Sequence, residues 1–71
     1  MNGRPVKHSV TLRGHRTSVS LEGDFWRAFQ EIAAVQSLTL NALATRIDED
    51  READVGLASA IRVFVLRHYR R

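Results

Sequence analysis

A strictly alternating segment near the amino end provides the first structural pattern: Arg16-Thr17-Ser18-Val19-Ser20-Leu21, followed directly by Glu22-Gly23-Asp24-Phe25-Trp26. Its odd positions are apolar or threonine, and its even positions are one cation and two small hydroxyls. This period of two is typical of a half-buried strand. A single short strand cannot stand alone, because its backbone N–H and C=O groups need partners. We therefore expect residues 16–21 to pair with upstream residues or with a second copy of the chain.

A second alternating segment spans residues 8–13 and places Val10 and Leu12 on one face. These positions are even-numbered, whereas the apolar positions of residues 16–21 are odd-numbered. One straight strand would therefore put the two apolar sets on opposite faces. Gly14, which separates the segments, must mark either a bulge or a turn.

The interpretation that we favour at this glycine is a hairpin. A two-residue loop at Gly14 and His15 has glycine first, as a type II′ turn prefers, and it would pair Val10 with Val19. Both apolar sets then share one face of the hairpin. A bulge within one continuous strand is the alternative.

Three helices are predicted after the strands, over about residues 24–36, 39–51 and 57–69, from apolar positions that recur at helical spacing. Asp24 and Thr39 are suitable N-caps for the first two. An acidic segment and a glycine separate the second helix from the third. Strands followed by helices predict an α+β domain.

The size of the chain bounds its stability. The chain has 71 residues, and we expect them to form a flexible basic arm at residues 1–7 and one domain at residues 8–71. A core of this size supplies only about 3–5 kcal/mol, and such domains usually add disulfides, a metal or oligomerisation. The chain has no cysteine, and His8, His15 and His68 are too widely spaced for a zinc site. Oligomerisation is therefore the expected source of further burial, and we expect no metal or cofactor.

Charge is unevenly distributed along the chain. Residues 1–21 hold four cations and no acid, residues 22–54 hold three cations and all eight acids, and residues 55–71 hold four cations. A basic strand region on a mixed-charge helical body indicates a nucleic-acid-binding element on a scaffold. No apolar run approaches the ~18 residues of a membrane span, and the amino end lacks a signal-peptide core. A soluble, cytoplasmic protein is expected.

The order strand, helix, helix resembles the ribbon-helix-helix family of DNA-binding proteins over about residues 16–50. Three features carry this resemblance: the alternating residues 16–22, the helical stripe of Phe25, Phe29 and Ile32, and the helix start Ser37-Leu38-Thr39-Leu40-Asn41. The extra upstream segment and the stretch at residues 58–63 resemble a short stand-alone bacterial subgroup, with an additional amino-terminal strand and a carboxy-terminal helix.

In that family, two chains pair their strands antiparallel, and the ribbon enters the major groove of double-stranded DNA. The resemblance thus implies an intertwined homodimer that acts as a small transcriptional regulator. The base-facing residues that it implies are Arg16, Ser18 and Ser20. The implied phosphate-contacting residues are Thr39, Leu40, Asn41, Arg13 and Lys7. The implied shared dimer core consists of Val19, Leu21, Phe25, Phe29, Ile32, Leu40, Leu43 and Ile47.

An enzyme and a protein-interaction module are the other classes of function open to this sequence. We do not expect an enzyme, since the chain has no paired carboxylates in a plausible cleft, no supported Ser/His/Asp set and no glycine-rich phosphate loop. The rival is a protein-interaction module, antitoxin-like or an adaptor dimer, that uses the third helix or the strand edges. The third helix could also assemble dimers into tetramers, although a core role is the simpler expectation. If residues 8–13 pair outside an inter-chain ribbon, a dimer presents four strands, too broad for the groove.

Overall fold

The computed structural model describes residues 3–71 as a β-hairpin followed by three helices. The elements are β1 (Val6–Leu12), β2 (His15–Leu21), α1 (Gly23–Val35), α2 (Leu40–Asp50) and α3 (Leu57–Tyr69). The predicted α+β order is confirmed. The flexible arm was expected at residues 1–7. Residues 1 and 2 lie outside the described residues, and strand β1 already begins at residue 6, within the expected arm.

The two strands form an antiparallel hairpin, as favoured from the sequence, but its turn lies one residue earlier than predicted. Arg13 and Gly14 occupy the loop with φ of 51° and 81°, and two positive φ values define a type I′ turn. The predicted type II′ loop is therefore wrong: the loop begins at Arg13, and both of its residues have positive φ, whereas a type II′ turn has positive φ only at its first central residue. Val10 pairs with Thr17 and not with Val19. This two-residue shift leaves every side chain on its predicted face.

One hydrophobic core lies between the inner face of the hairpin and the helices. Its buried members are Val10, Val19, Leu21, Phe29, Ile32, Ala33, Leu43, Ala44, Ile47, Ile61 and Val65. Among residues 3–71, no polar or charged side chain is buried. Most residues expected to build a shared dimer core are therefore already buried within one chain, and Phe25 and Leu40 are half-buried at its edge. Their burial does not require a second copy.

Helix α1 ends without the glycine that usually stops a helix. Ser37 takes the left-handed conformation instead, with φ of 57°. The N–H of Leu38 donates to the carbonyl of Ala33 at 2.9 Å, and the N–H of Ser37 donates to the carbonyl of Ala34 at 3.1 Å. This pair of bonds is the Schellman motif. It reverses the chain over a short turn, so that α2 starts beside the hairpin.

Helix α3 completes the core and is tied to the junction between β2 and α1. Ile61 and Val65 point into the core. The Arg62 guanidinium donates to both carboxylate oxygens of Glu22, at 2.9 Å from Nε and 3.1 Å from Nη2. These bonds hold the pKa of Glu22 below its usual value. The same guanidinium lies 5.9 Å from the centre of the Phe25 ring, within cation–π range. Within residues 3–71 no helix has the length and apolar character needed to cross a membrane.

Candidate nucleic-acid interface

The outward side of the hairpin is a polar surface built from both strands. Because side chains alternate along each strand, the register brings six residues together in three cross-strand pairs, Lys7 with Ser20, Ser9 with Ser18, and Thr11 with Arg16. We call these six residues the ribbon face. Thr11 is half-buried and the other five are exposed. The ribbon face contains two cations and four hydroxyls and no acid, so it suits an anionic, hydrogen-bonding surface.

The two cations of the ribbon face lie at opposite ends of it. Arg16 is beside the turn, and Lys7 is four residues further along the hairpin, a separation of roughly 14 Å at the usual strand rise. Neither side chain makes an ion pair or a hydrogen bond with another residue of the described chain. Two strands lie about 5 Å apart, and the major groove is about 12 Å wide and admits a two-stranded ribbon. The dimensions and charge of the ribbon face thus fit that groove.

The outer edge of β1 is anchored to helix α2 near the turn. A two-residue turn ends in a hydrogen-bonded pair, after which such pairs alternate with non-hydrogen-bonded ones. The residues of the ribbon face fall in the non-hydrogen-bonded pairs, so their backbone N–H and C=O groups point away from the other strand. The N–H of Thr11 accordingly donates to Oδ1 of Asn41 at 3.0 Å. At the turn, the Arg13 guanidinium bonds to Glu49 near the end of α2, and this bond raises the pKa of Arg13.

The outer edge of β2 is only partly covered. The Ser20 carbonyl lies 3.5 Å from Nη2 of Arg62 on α3, at the limit of a hydrogen bond. The outward backbone groups of Arg16 and Ser18 have no partner within residues 3–71. The middle of this edge is therefore open, whereas its end next to α1 is occupied by the Arg62 side chain.

The amino end of α2 lies beside the ribbon face because Asn41 binds β1. Thr39 caps this helix, with its hydroxyl accepting from the N–H of Ala42 at 3.0 Å. The N–H groups of Leu40 and Asn41 have no acceptor in the described part of the chain. Unsatisfied N–H groups and the positive end of the helix dipole make such a terminus suitable for a phosphate.

The residues that the resemblance implies for DNA contact differ in whether their side chains are free to bind DNA. Arg16, Ser18, Ser20 and Lys7 all lie on the ribbon face and are exposed. Of the others, Arg13 is already paired with an acid, and the side chains of the helix-start residues have structural roles in the cap, the core edge and the strand anchor. At the helix start, backbone N–H groups rather than side chains are therefore available to a phosphate.

Two ring contacts at the edge of the core were not foreseen from the sequence. The His8 and Trp26 rings are stacked, with centroids 3.8 Å apart and planes inclined by 2°. Trp26 also contacts Phe29, at 6.0 Å between centroids. His8 thus packs against α1. No local signal predicts this contact, because it depends on how β1 crosses α1.

A short antiparallel ribbon with a cationic outer face, carried on helices, is the architecture of proteins that read DNA with β-strands. The family model described as "Ribbon-helix-helix domain" matches residues 5–69, so the chain belongs to the ribbon-helix-helix family. Membership of this family indicates a DNA-binding regulator kind of function, and its domains are typically non-enzymatic and generally dimerise. No curated protein and no solved structure matches the chain significantly.

Proposed function

We propose that this chain is a small bacterial transcriptional regulator that binds double-stranded DNA in the cytoplasm by placing the ribbon face in the major groove. The observation that carries the proposal is the ribbon face itself. A single chain presents six polar side chains, with two unpaired cations and no acid, on a surface two strands wide. A solvated sheet face would serve equally well with mixed charge, so the one-signed charge favours an anionic partner.

Each part of the interface has a distinct role in this proposal. Arg16 reaches base edges, where a guanidinium can donate two hydrogen bonds to guanine. Ser18 and Ser20 bond to bases or to phosphates over a shorter reach, and Lys7 contacts the phosphate backbone at the far end of the ribbon. The N–H groups at the start of α2, around residues 40 and 41, hold a phosphate beside the groove.

The hairpin also bears on how a homodimer reads DNA. The strand partner of β2 is β1 of the same chain, so one chain already has the two strands that a major groove admits. A second copy added along the open edge of β2 would widen the reading surface to four strands. We therefore propose that the hairpin of each chain is the reading unit and that the homodimer forms elsewhere on the molecule.

A protein-interaction module, antitoxin-like or an adaptor, is the second candidate. The observation that favours it is the exposure of two apolar side chains, Val63 and Leu66, on the outward side of α3. In this candidate function, the apolar surface binds another protein and the ribbon face does not bind DNA.

Fluorescence anisotropy with a random-sequence DNA duplex over a salt series tests the first candidate against the second. We expect binding that weakens steeply with salt, since each neutralised phosphate contributes about 0.9 to the slope of log affinity against log salt. Arg16→Ala should lower this slope by about one contact and weaken binding. Arg46→Ala is the matched control, because it removes another exposed arginine, one without an ion-pair partner within residues 3–71, from the groove between α2 and α3.

Two results would contradict the proposal. Equal losses for Arg16→Ala and Arg46→Ala would mean that only overall charge matters and that the ribbon face is not the reader. Folded protein with no measurable binding at low salt would reject DNA binding and favour the protein-interaction module.

A further inference from the structure

We infer that Glu49 limits the sequence-independent affinity of this chain for DNA by holding Arg13 of the hairpin turn away from phosphate. Glu49 lies near the end of α2, outside the ribbon face. It is a positioning residue, since it acts through Arg13 rather than on DNA. The inference rests on the proposed function, and its test is chosen so that the failure of one can be told from the failure of the other.

The carboxyl end of α2 carries acids where a helix is expected to carry bases. Its last turn contains Asp48, Glu49 and Asp50 and no basic residue. The negative end of the helix dipole makes this arrangement unfavourable for the helix. A sequence feature that breaks a local rule is expected at functional sites, so we expect these carboxylates to act on another part of the molecule.

Helix α2 places the three carboxylates beside the hairpin turn. Asn41, near its start, binds β1 at Thr11. Glu49, near its end, binds Arg13 in the turn. Eight residues rise about 12 Å along a helix, so α2 runs along the outer edge of β1 towards the turn. Its acidic end is therefore next to the end of the hairpin that also carries Arg16.

The three carboxylates have different partners there. Asp48 accepts from Nε of Arg51 at 2.8 Å, and both side chains are half-buried. Asp50 has no ion-pair partner in the described part of the chain. Glu49 bonds to the Arg13 guanidinium, and this bond, with a smaller contribution from the charge of Asp48, raises the pKa of Arg13. Glu49 is thus the acid of the last turn that neutralises a cation of the hairpin.

Support of the turn does not account for the pair of Arg13 and Glu49. Both side chains are exposed, 65% for Arg13 and 44% for Glu49, and exposed ion pairs contribute little to stability. The turn is formed by the backbone, with positive φ at Arg13 and Gly14. Asparagine or aspartate before the glycine would suit a type I′ turn better than arginine. The arginine therefore serves more than the turn.

The pair prevents Arg13 from adding a net phosphate contact. When DNA occupies the ribbon face, the turn lies close to the sugar–phosphate backbone. If Arg13 moved to a phosphate, the Glu49 carboxylate would be left uncovered beside that phosphate. The attraction of one charge is then offset by the repulsion of the other, because the pair as a whole is neutral. Phosphate contacts carry no sequence information, so the pair lowers sequence-independent binding and leaves the base contacts proposed for Arg16 unchanged.

Glu49→Gln tests the inference, because it releases Arg13 and keeps the shape of the side chain. Fluorescence anisotropy with a random-sequence duplex should show about fivefold tighter binding at low salt, as expected for one unit charge about 4 Å from another in water. The slope of log affinity against log salt should steepen by about 0.9, which corresponds to one added phosphate contact. Far-UV circular dichroism should not change, since the replaced side chain is exposed.

Glu52→Gln is the matched control. It makes the same change in charge at an exposed glutamate that has no ion-pair partner within residues 3–71 and that lines the groove between α2 and α3. Its salt slope should equal that of the wild type. An equal gain in Glu52→Gln and Glu49→Gln would mean that only net charge matters, and it would overturn the role of Glu49.

Arg13→Ala, made both in the wild type and in Glu49→Gln, tests whether the gain depends on Arg13. In the wild type, Arg13→Ala should leave the salt slope unchanged, because the paired arginine adds no net phosphate contact. In Glu49→Gln, the same substitution should return the slope to the wild-type value. A role of Glu49 in the turn alone would not produce this dependence. Equal losses of slope in the two backgrounds would show that Arg13 contacts phosphate despite Glu49.

The wild type separates the two levels of the reasoning. If the wild type binds DNA and Glu49→Gln has the same slope and affinity, the inference is overturned and the proposed function stands. If neither protein binds DNA at low salt, both are rejected. Binding by Glu49→Gln alone would support the inference, since releasing Arg13 would then be what permits sequence-independent binding.

Discussion

Asn41 has two separable roles in this structure, and two substitutions distinguish them. Its side-chain oxygen accepts a hydrogen bond from the N–H of Thr11 at 3.0 Å, which anchors β1 to α2. Its own backbone N–H lies at the start of α2, where we propose that a phosphate binds. Asn41→Ala removes the anchor and adds no charge. Asn41→Asp keeps an oxygen for Thr11 but adds a negative charge at the proposed phosphate site.

The expected change in stability follows from the anchor. A net hydrogen bond contributes about 0.5–1.5 kcal/mol, and this one is exposed, so we expect Asn41→Ala to cost about 0.5–1 kcal/mol. In a domain of this size, 1 kcal/mol corresponds to about 4–8 °C in Tm. Asn41→Asp should match or exceed the wild type in Tm, because a negative charge near a helix amino end adds about 0.3–1 kcal/mol.

The expected change in DNA affinity has the opposite order. Two unit charges about 4 Å apart in water repel by about 1 kcal/mol, which is roughly a fivefold change in Kd. Asn41→Asp should therefore weaken DNA binding at least that much at low salt. Asn41→Ala should change binding little at temperatures where it is folded, since it leaves the backbone N–H in place.

Thermal unfolding by circular dichroism and fluorescence anisotropy with DNA, on the same three proteins, measure both effects. Binding of DNA by Asn41→Asp as tightly as by the wild type would refute the phosphate site, because a phosphate beside this residue would be repelled by the added charge. An Asn41→Ala protein as stable as the wild type would mean that the strand anchor is not formed in solution.

Three further substitutions test the backbone and the α3 attachment. Gly14→Ala should lower the free energy of unfolding by about 1 kcal/mol, because φ at this residue is 81° although the space around it is open; an unchanged urea midpoint would exclude the type I′ turn. Ser37→Gly should raise the free energy of unfolding by up to about 1 kcal/mol by relieving a left-handed serine, and a lower midpoint would contradict that geometry. Glu22→Gln should be less stable than the wild type near neutral pH, since the bond to Arg62 lowers the Glu22 pKa below 4.5. The stabilisation is present above about this pH and is lost as the pH falls through the lowered pKa, so the difference should disappear in acid, and a constant difference would refute the link.

The faces of the two strands could be predicted from the sequence, but their register could not. The parity of Val10 and Val19 requires a turn or bulge at Gly14, because one straight strand would expose half of the apolar residues. Loops that differ by one residue at this turn preserve the same faces, so the hydrophobic pattern cannot choose between them. The choice depends on Arg13 accepting a positive φ, which is uncommon for a residue with a side chain.

At the candidate site, too, some features could be predicted from the sequence and others could not. Exposure of Arg16 and the serines of β2 follows from simple alternation, and the helix start at Thr39 follows from its capping preference. The roles of Asn41 as a strand anchor and of Arg13 as the partner of Glu49 depend on contacts between residues 30 or more positions apart. No local pattern contains such contacts.

The sequence by itself determined the element order, the face of each strand and helix that is buried, and the basic character of the strand region, because these depend on periodicity and composition. Only the tertiary structure decided that β1 supplies the second strand of the ribbon within one chain, that Arg62 attaches α3 to Glu22, and that Val63 and Leu66 remain outside the core. The physical reason is that these features depend on how the helices pack around the hairpin, and packing selects among arrangements that all satisfy the same local pattern.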